Sequence, residues 1–213
     1  MMNWNFLWVA LSELITPQTA AYALAALGLA VHFGYTGLLN FGQAGFMAVG
    51  GYAFAMCAVT FNQPFWVCIL AAVLGSVLLA LLLGVPTLRL RADYLSIVTI
   101  GTAEIVRLVV RSPEMGTWTG GSTGINRSGA SFFAMNPLPD DLSWTLGTIR
   151  YNSDAIWVRL VAWTVVVLAG LFVWQIMRSP WGRVVTGIRE NEDAVRALGK
   201  NVFAYKMQVL VIG

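Results

Sequence analysis

The stretch Phe65–Val85 reads FWVCILAAVLGSVLLALLLGV, with no charged residue in it. A helix rises about 1.5 Å per residue and a bilayer core is about 30 Å thick, so about 20 apolar residues are what a helix needs to cross lipid. Hydrocarbon offers no partner to a bare amide, so such a run must satisfy its backbone internally, as helix. Further apolar runs lie on either side: Ala20–Phe33, extending back toward Thr16, then Phe46–Phe61, a weaker Tyr94–Val110, Ala155–Met177, and a beginning from Phe203 to Gly213. Only 11% of the 213 residues are charged and 58% are hydrophobic, whereas soluble domains are about a quarter charged. The expected fold class is all-α: a polytopic helical membrane protein in which residues 1–213 form a single transmembrane domain, with about five complete spans and the start of a sixth. The sixth would rise only about 16 Å before the sequence stops, so the chain reads as truncated at its C-terminus.

The N-terminal MNWNFLWVALSELITP lacks a basic leader, carries Glu13 and ends at Pro17, so it reads as a short amphipathic entry segment and not as a cleavable signal. Cys57 and Cys68 fall within apolar runs and read as small packing residues. Orientation follows the basic residues, which favour the cytoplasmic side in short loops. Arg89 and Arg91 follow the third span, and Arg178, Arg183, Arg189, Arg196, Lys200 and Lys206 follow the fifth. Those two spans run in the same direction, so both clusters fall on one side. Residues 178–202 are then expected in the cytoplasm, and residues 112–154, with Glu114, Asp140, Asp141 and Asp154, form an outward-facing loop. Two spans before Phe65 place the N-terminus outside; a further crossing within residues 1–16 would reverse the terminus alone.

The segment after Met177 is the longest polar passage in the chain. At 100° per residue, Val184, Ile188, Val195 and Leu198 form one apolar stripe, with Arg189, Asp193, Arg196 and Lys200 opposite and Gly199 as a stop signal. Two readings fit: a helix that docks a soluble partner, or one lying at the lipid interface. Glu190, Glu192 and Asp193 would be repelled by anionic headgroups, which weighs against the second.

Four passages, in order, resemble the branched-chain amino acid ABC transporter permeases of the LivM type: GYTGLLNFGQAGF, then PTLRLRADYLSIVTIG followed by AEIVRLVV, then TGGSTGI, then SPWGRVVTGIRENEDAVRALGKNVFAYK. They reach from about Gly34 to the last residue. The resemblance implies an all-helical permease subunit of the bacterial inner membrane that works with a second related permease, two ABC ATPase subunits in the cytoplasm, and a periplasmic or otherwise extracytoplasmic substrate-binding protein delivering leucine, isoleucine or valine. It implies that residues 178–202 are the ATPase-coupling segment, with Glu190, Asp193, Ala194, Val195, Leu198 and Gly199 as its contact residues. The coupling signature of such permeases runs Glu-Ala-Ala…Gly; Asp193, Ala194, Val195 and Gly199 stand at those positions here, so Ala194 and Gly199 match. A urea or short-amide permease of the same family is the nearest alternative, and a self-contained secondary transporter or a membrane scaffold belongs to a different class.

Gly37, Asn40, Gln43 and Gly45, in a glycine- and amide-rich stretch between spans, admit two readings: close helix packing or a tight turn, and a substrate path in which Asn40 and Gln43 bind a zwitterion. Glu104 and Arg107, three residues apart within a span, are either an internal ion pair that fixes helix packing or part of a gate or pathway. Trp118, Gly120, Gly121 and Gly124 suit either ordinary turns or a docking surface for the binding protein. The single histidine, His32, has no cysteine or carboxylate cluster beside it, which argues against a metal site, and no cofactor is expected. No P-loop spacing occurs and no catalytic constellation is visible, so ATP hydrolysis belongs to partner chains. No basic patch interleaved with aromatics points to nucleic acid.

Overall fold

The structure is a computed structural model that describes residues 5–88, 92–126, 128–139, 141–146 and 149–213. Arg89, Arg91 and Asp140 lie outside the described residues. The chain is mostly helical, as the apolar runs require. Helix α1 (Asn5–Leu14) and α2 (Pro17–Leu29) meet at a bend of 46°. The Thr16 hydroxyl caps α2 by accepting from the Thr19 amide at 3.2 Å, and Pro17 follows at N1, where its missing N–H costs nothing. The α2 rod continues into a π-helical turn, Ala30–Tyr35, so the first apolar run is helical from 17 to 35, reaching back beside Thr16 and ending two residues beyond Phe33.

Helices α3 (Gln43–Val59) and α4 (Phe65–Thr87) form an antiparallel hairpin through a turn in which Asn62 takes φ +49°. Small residues set their spacing: a Cβ on Gly50 would lie 2.9 Å from Ser76 Oγ, and one on Gly75 would lie 3.3 Å from Ala53 Cβ. Helix α5 (Ala92–Arg111) runs parallel to α3 and still closer, because a Cβ on Gly42 would meet the Thr99 carbonyl at 2.6 Å and one on Gly45 would meet Ala103 Cα at 3.0 Å. Replacing Gly45 by leucine is therefore expected to wedge α3 from α5 and destabilise the bundle by about 1–3 kcal/mol; a thermal melt of the detergent-solubilised protein reads the loss, against Gly51→Ala, whose Cβ meets nothing within 4 Å.

The connection that follows contains two single-turn helices, α6 (Gly116–Thr119) and α7 (Ala130–Phe133), and one small antiparallel hairpin, β1 (Trp144–Leu146) with β2 (Ile149–Tyr151), pairing Trp144 with Tyr151. That hairpin is the departure from an all-α chain among the described residues. Gly120, Gly121 and Gly124 all take positive φ, the turn chemistry that a glycine cluster supplies. The long helix α8 (Ser153–Arg178) packs along α2 and extends about 39 Å. Its outward face, with Leu160, Val167, Leu168, Leu171 and Phe172, is exposed and suited to lipid or another subunit.

By length and composition, two helices can cross a membrane, α4 and α8, and the bent α1–α2 pair makes up to three. Helix α3 is 17 residues, and α5 carries Asp93, Glu104, Arg107 and Arg111. The count of about five spans is thus not reached on these criteria, since charge and length, and not helicity, separate α3 and α5 from the rest.

Past α8 the chain turns through Ser179 into α9 (Pro180–Glu190) and α10 (Glu192–Ala197), then α11 (Val202–Ile212) re-enters the bundle. The main core sits at this end: Val31, Leu38, Ala80, Leu95, Val185 and Val209 are all buried, joining the π turn, the 36–42 connection, α4, α5, α9 and α11. Met207 and Leu210 of α11 close over Gly84 of α4, where a Cβ would come within 2.8 Å of Met207 Sδ.

Candidate functional site

Two features of this end converge, a cavity inside the bundle and a polar surface outside it. The cavity, about 430 Å³, lies between α2, α3, α4 and α11, in the size range of small-molecule sites. Its walls are mostly aliphatic, from Leu24, Met47 and Ile212 among others, with Gln43, His32 and Ser76 as polar groups. Gln43 Nε2 donates to the Gly213 carbonyl at 3.2 Å, while Gln43 Oε1 is buried without a partner. An unmatched acceptor in an aliphatic cavity costs free energy that a ligand donor would recover.

His32 sits in the π turn, 1% exposed, with Nδ1 3.2 Å from Asn40 Nδ2. If the amide nitrogen donates, the imidazole proton lies on Nε2. Nε2 is buried without a hydrogen-bond partner among the described residues, against the end of α11, where a Cβ on Gly213 would come within 2.7 Å of it. Asn40 Oδ1 accepts from the Gly42 amide at 2.9 Å, so this buried amide both holds the histidine and starts α3. Sequence reading weighed His32 only as a metal ligand and missed this role. The visible signal was a lone histidine eight residues before an asparagine, which spacing alone does not interpret. Among the described residues no group of histidine, cysteine and carboxylate could hold a metal.

The candidate path residues do not form one site. Gln43 lines the cavity and Asn40 supports its wall through His32. Gly45 is pressed on α5, and Gly37, at φ +70°, lies beneath Arg189, whose Cγ would be 3.1 Å from a Cβ there. Glu104 and Arg107 do pair, through two hydrogen bonds of 2.5 and 2.9 Å. Their side chains are 52% and 50% exposed and the pair is within α5, so it ties no second helix and, screened by solvent, counts for little in stability. They line a separate open groove between α3 and α5 of about 640 Å³, with Tyr52 and Arg111.

The polar surface departs from the single helix expected over 178–202. Asn191 is extended (φ −157°, ψ 97°), and its Oδ1 accepts from the Ala194 amide at 3.0 Å, ending α9 and capping α10. An asparagine competes with the helix by bonding to its own neighbours, a break that a search for apolar periodicity passes over. Val184, Ile188 and Val195 still turn inward, Ile188 and Val195 packing with Val202. Leu198 does not: it is 79% exposed, because the break rotates α10 out of phase with α9. Gly199 does stop the helix, at φ +75°, with the Gly199 amide donating to Arg196 O at 3.0 Å and the Lys200 amide to Val195 O at 3.4 Å, a Schellman closure. Around Leu198, Ala194 and Ala197 are exposed, and Asp193 and Glu190 stand nearby in sequence, their carboxylates exposed while paired with Arg196 and Arg189. Glu192 is drawn back, pairing with Arg196 at 2.8 Å and with the mostly buried Lys206 of α11 at 2.5 Å.

The sequence profile of the family described as "Branched-chain amino acid transport system / permease component" matches residues 12–213. Among curated proteins, the high-affinity branched-chain amino acid transport system permease protein LivM of Salmonella typhimurium is 37% identical over 98% of this chain and 51% of its own length. Its Escherichia coli counterpart is 38% identical over 93% of this chain and 48% of its own. A probable LivM of Methanocaldococcus jannaschii is 28% identical over 90% and 60%. The chain thus spans about half the length of the first two curated relatives. No solved structure was found to match.

Proposed function

The chain belongs to the branched-chain amino acid transport system permease family, and on that premise we propose that it is the transmembrane permease subunit of an ABC importer, moving leucine, isoleucine or valine inward on ATP hydrolysed by partner subunits. The partners are two cytoplasmic ABC ATPases, a second related permease and an extracytoplasmic binding protein, in a bacterial inner membrane. Five crossings, by α2, α3, α4, α5 and α8, leave residues 112–154 outside and 178–202 in the cytoplasm. Contact between Arg189 and Gly34 supports that count, because it needs the 36–42 connection and α9 at the same end of the bundle.

The observation that carries the reading is the exposed Leu198 at the closed end of a short capped helix. An apolar knob with acidic neighbours, held by a core that the same segment builds, suits a groove on a soluble partner. The cavity beside Gln43 suits an aliphatic zwitterion, whose ammonium would meet Gln43 Oε1 and whose side chain would meet Leu24 and Met47. The deciding experiment is purification of the native complex followed by uptake in proteoliposomes. Co-purification of ATPase subunits and ATP-dependent leucine uptake are expected. Uptake without ATP and without an ATPase would instead make the protein a secondary transporter, and a binding protein that takes urea or a short amide would change the substrate.

A further inference from the structure

Arg189 closes α9, and its Nη1 donates to the Gly34 carbonyl, near the C-terminal end of the rod formed by α2 and the π turn. Carbonyls there lack helical partners and carry partial negative charge, so a guanidinium is favoured. Glu190 Oε1 accepts from Arg189 Nε and Nη2 and fixes the plane of the group. The arginine stem lies over Gly37, whose positive φ and missing Cβ both make room for it. Arg189 is about half exposed, so as a surface ion pair it would count for little; its distinctive property is the element it holds. That element is the six-residue π turn that carries His32, and through the His32–Asn40 contact it reaches the start of α3 and Gln43. π turns in helices recur at functional sites.

We propose that Arg189 is a positioning residue for transport, tying the partner-facing end of the cytoplasmic segment to the π turn that forms one wall of the cavity. When the segment moves, Arg189 pulls Gly34 and Gly37, and the His32 wall moves with them. This is a route separate from the covalent ones through α8 and α11. The proposal rests on the importer reading.

The test uses the complete complex, with its ATPases, second permease and binding protein, in proteoliposomes, comparing wild type with Arg189→Ala, Arg189→Lys and Gly37→Ala. Arg189→Ala is expected to lower leucine uptake about tenfold or more, within the usual range of coupling free energies, with binding-protein-stimulated ATPase activity retained. Arg189→Lys, which keeps one donor, recovers part of the uptake. Gly37→Ala, which leaves the arginine but displaces its stem, lowers uptake in the same way. Hydrogen exchange of residues 34–42 should change on nucleotide binding in the wild type and stop changing in Arg189→Ala. Uptake and ATPase activity falling in parallel, or a nucleotide-dependent exchange that survives in Arg189→Ala, would reduce the arginine to a structural cap and overturn the proposal. A wild-type complex that hydrolyses ATP but imports none of the three amino acids contradicts the substrate reading alone, since the exchange measurement needs no substrate.

Discussion

Replacement of Gly182 by alanine is expected to unseat the whole segment formed by α9 and α10. No residue separates α8 from α9 except Ser179, which ends one and caps the other through its hydroxyl, accepting from the Gly182 amide at 3.4 Å. That corner is so tight that a Cβ on Gly182 would lie 2.2 Å from the Met177 carbonyl oxygen and 2.6 Å from Met177 Cα. The obstacle is backbone, which has no rotamer to change, so α9 must tilt or the corner must open. Overpacking of this kind typically costs 1–3 kcal/mol, and here it would also dislodge Val185, fully buried in the main core, and the Trp181–Gln208 hydrogen bond of 2.8 Å. The expected results are faster hydrogen exchange through residues 180–197, a shifted Trp181 emission, and at least a tenfold loss of uptake. Gly187→Ala is the control, because its Cβ meets a side-chain methyl, Val195 Cγ2, at 3.2 Å, and a side chain can yield. Wild-type exchange in Gly182→Ala would show that the corner is loose and that α9 is not held as described.

How much of this was legible beforehand differs by the kind of signal. The long helices α4 and α8 were plain, because lipid leaves an apolar run of 20 residues no other regular structure. Gly199 was also readable, since few residues besides glycine accept a left-handed helix stop. Leu198 was misplaced inward because helical phase was carried across Asn191 as though the helix were continuous. The π turn was invisible for a related reason: it changes the period without changing the composition. Glu104 and Arg107 were correctly paired, but sequence spacing says nothing about whether a second helix covers the pair. Arg189 and Gly34 are 155 residues apart, and no local pattern predicts which arginine of a basic segment finds which carbonyl. Family resemblance identified the passages but not how they touch.

Leu198→Asp is expected to abolish coupling while leaving the permease intact. Leu198 is the large apolar side chain that α10 turns outward, and at 79% exposure it gives almost nothing to the fold of its own chain. Its position is nonetheless fixed, by the Gly199 closure behind it and by the Asn191 cap at the start of the helix. On the proposed importer reading, a rigid, exposed leucine that stabilises nothing internally would gain its burial from the ATPase. Full burial of such a side chain is worth about 1.5–3 kcal/mol, and placing a carboxylate in the same apolar socket adds a desolvation penalty of a few kcal/mol more. Because each 1.4 kcal/mol is tenfold in an equilibrium constant, the loss of ATPase association should reach about a hundredfold or more. The melting temperature of the isolated permease should not move, which separates this variant from Gly182→Ala. Leu198→Met, which keeps the apolar bulk, should retain most of the association and uptake. Wild-type uptake by Leu198→Asp would contradict the proposed partner contact at Leu198 and leave α10 as a connector between α9 and α11.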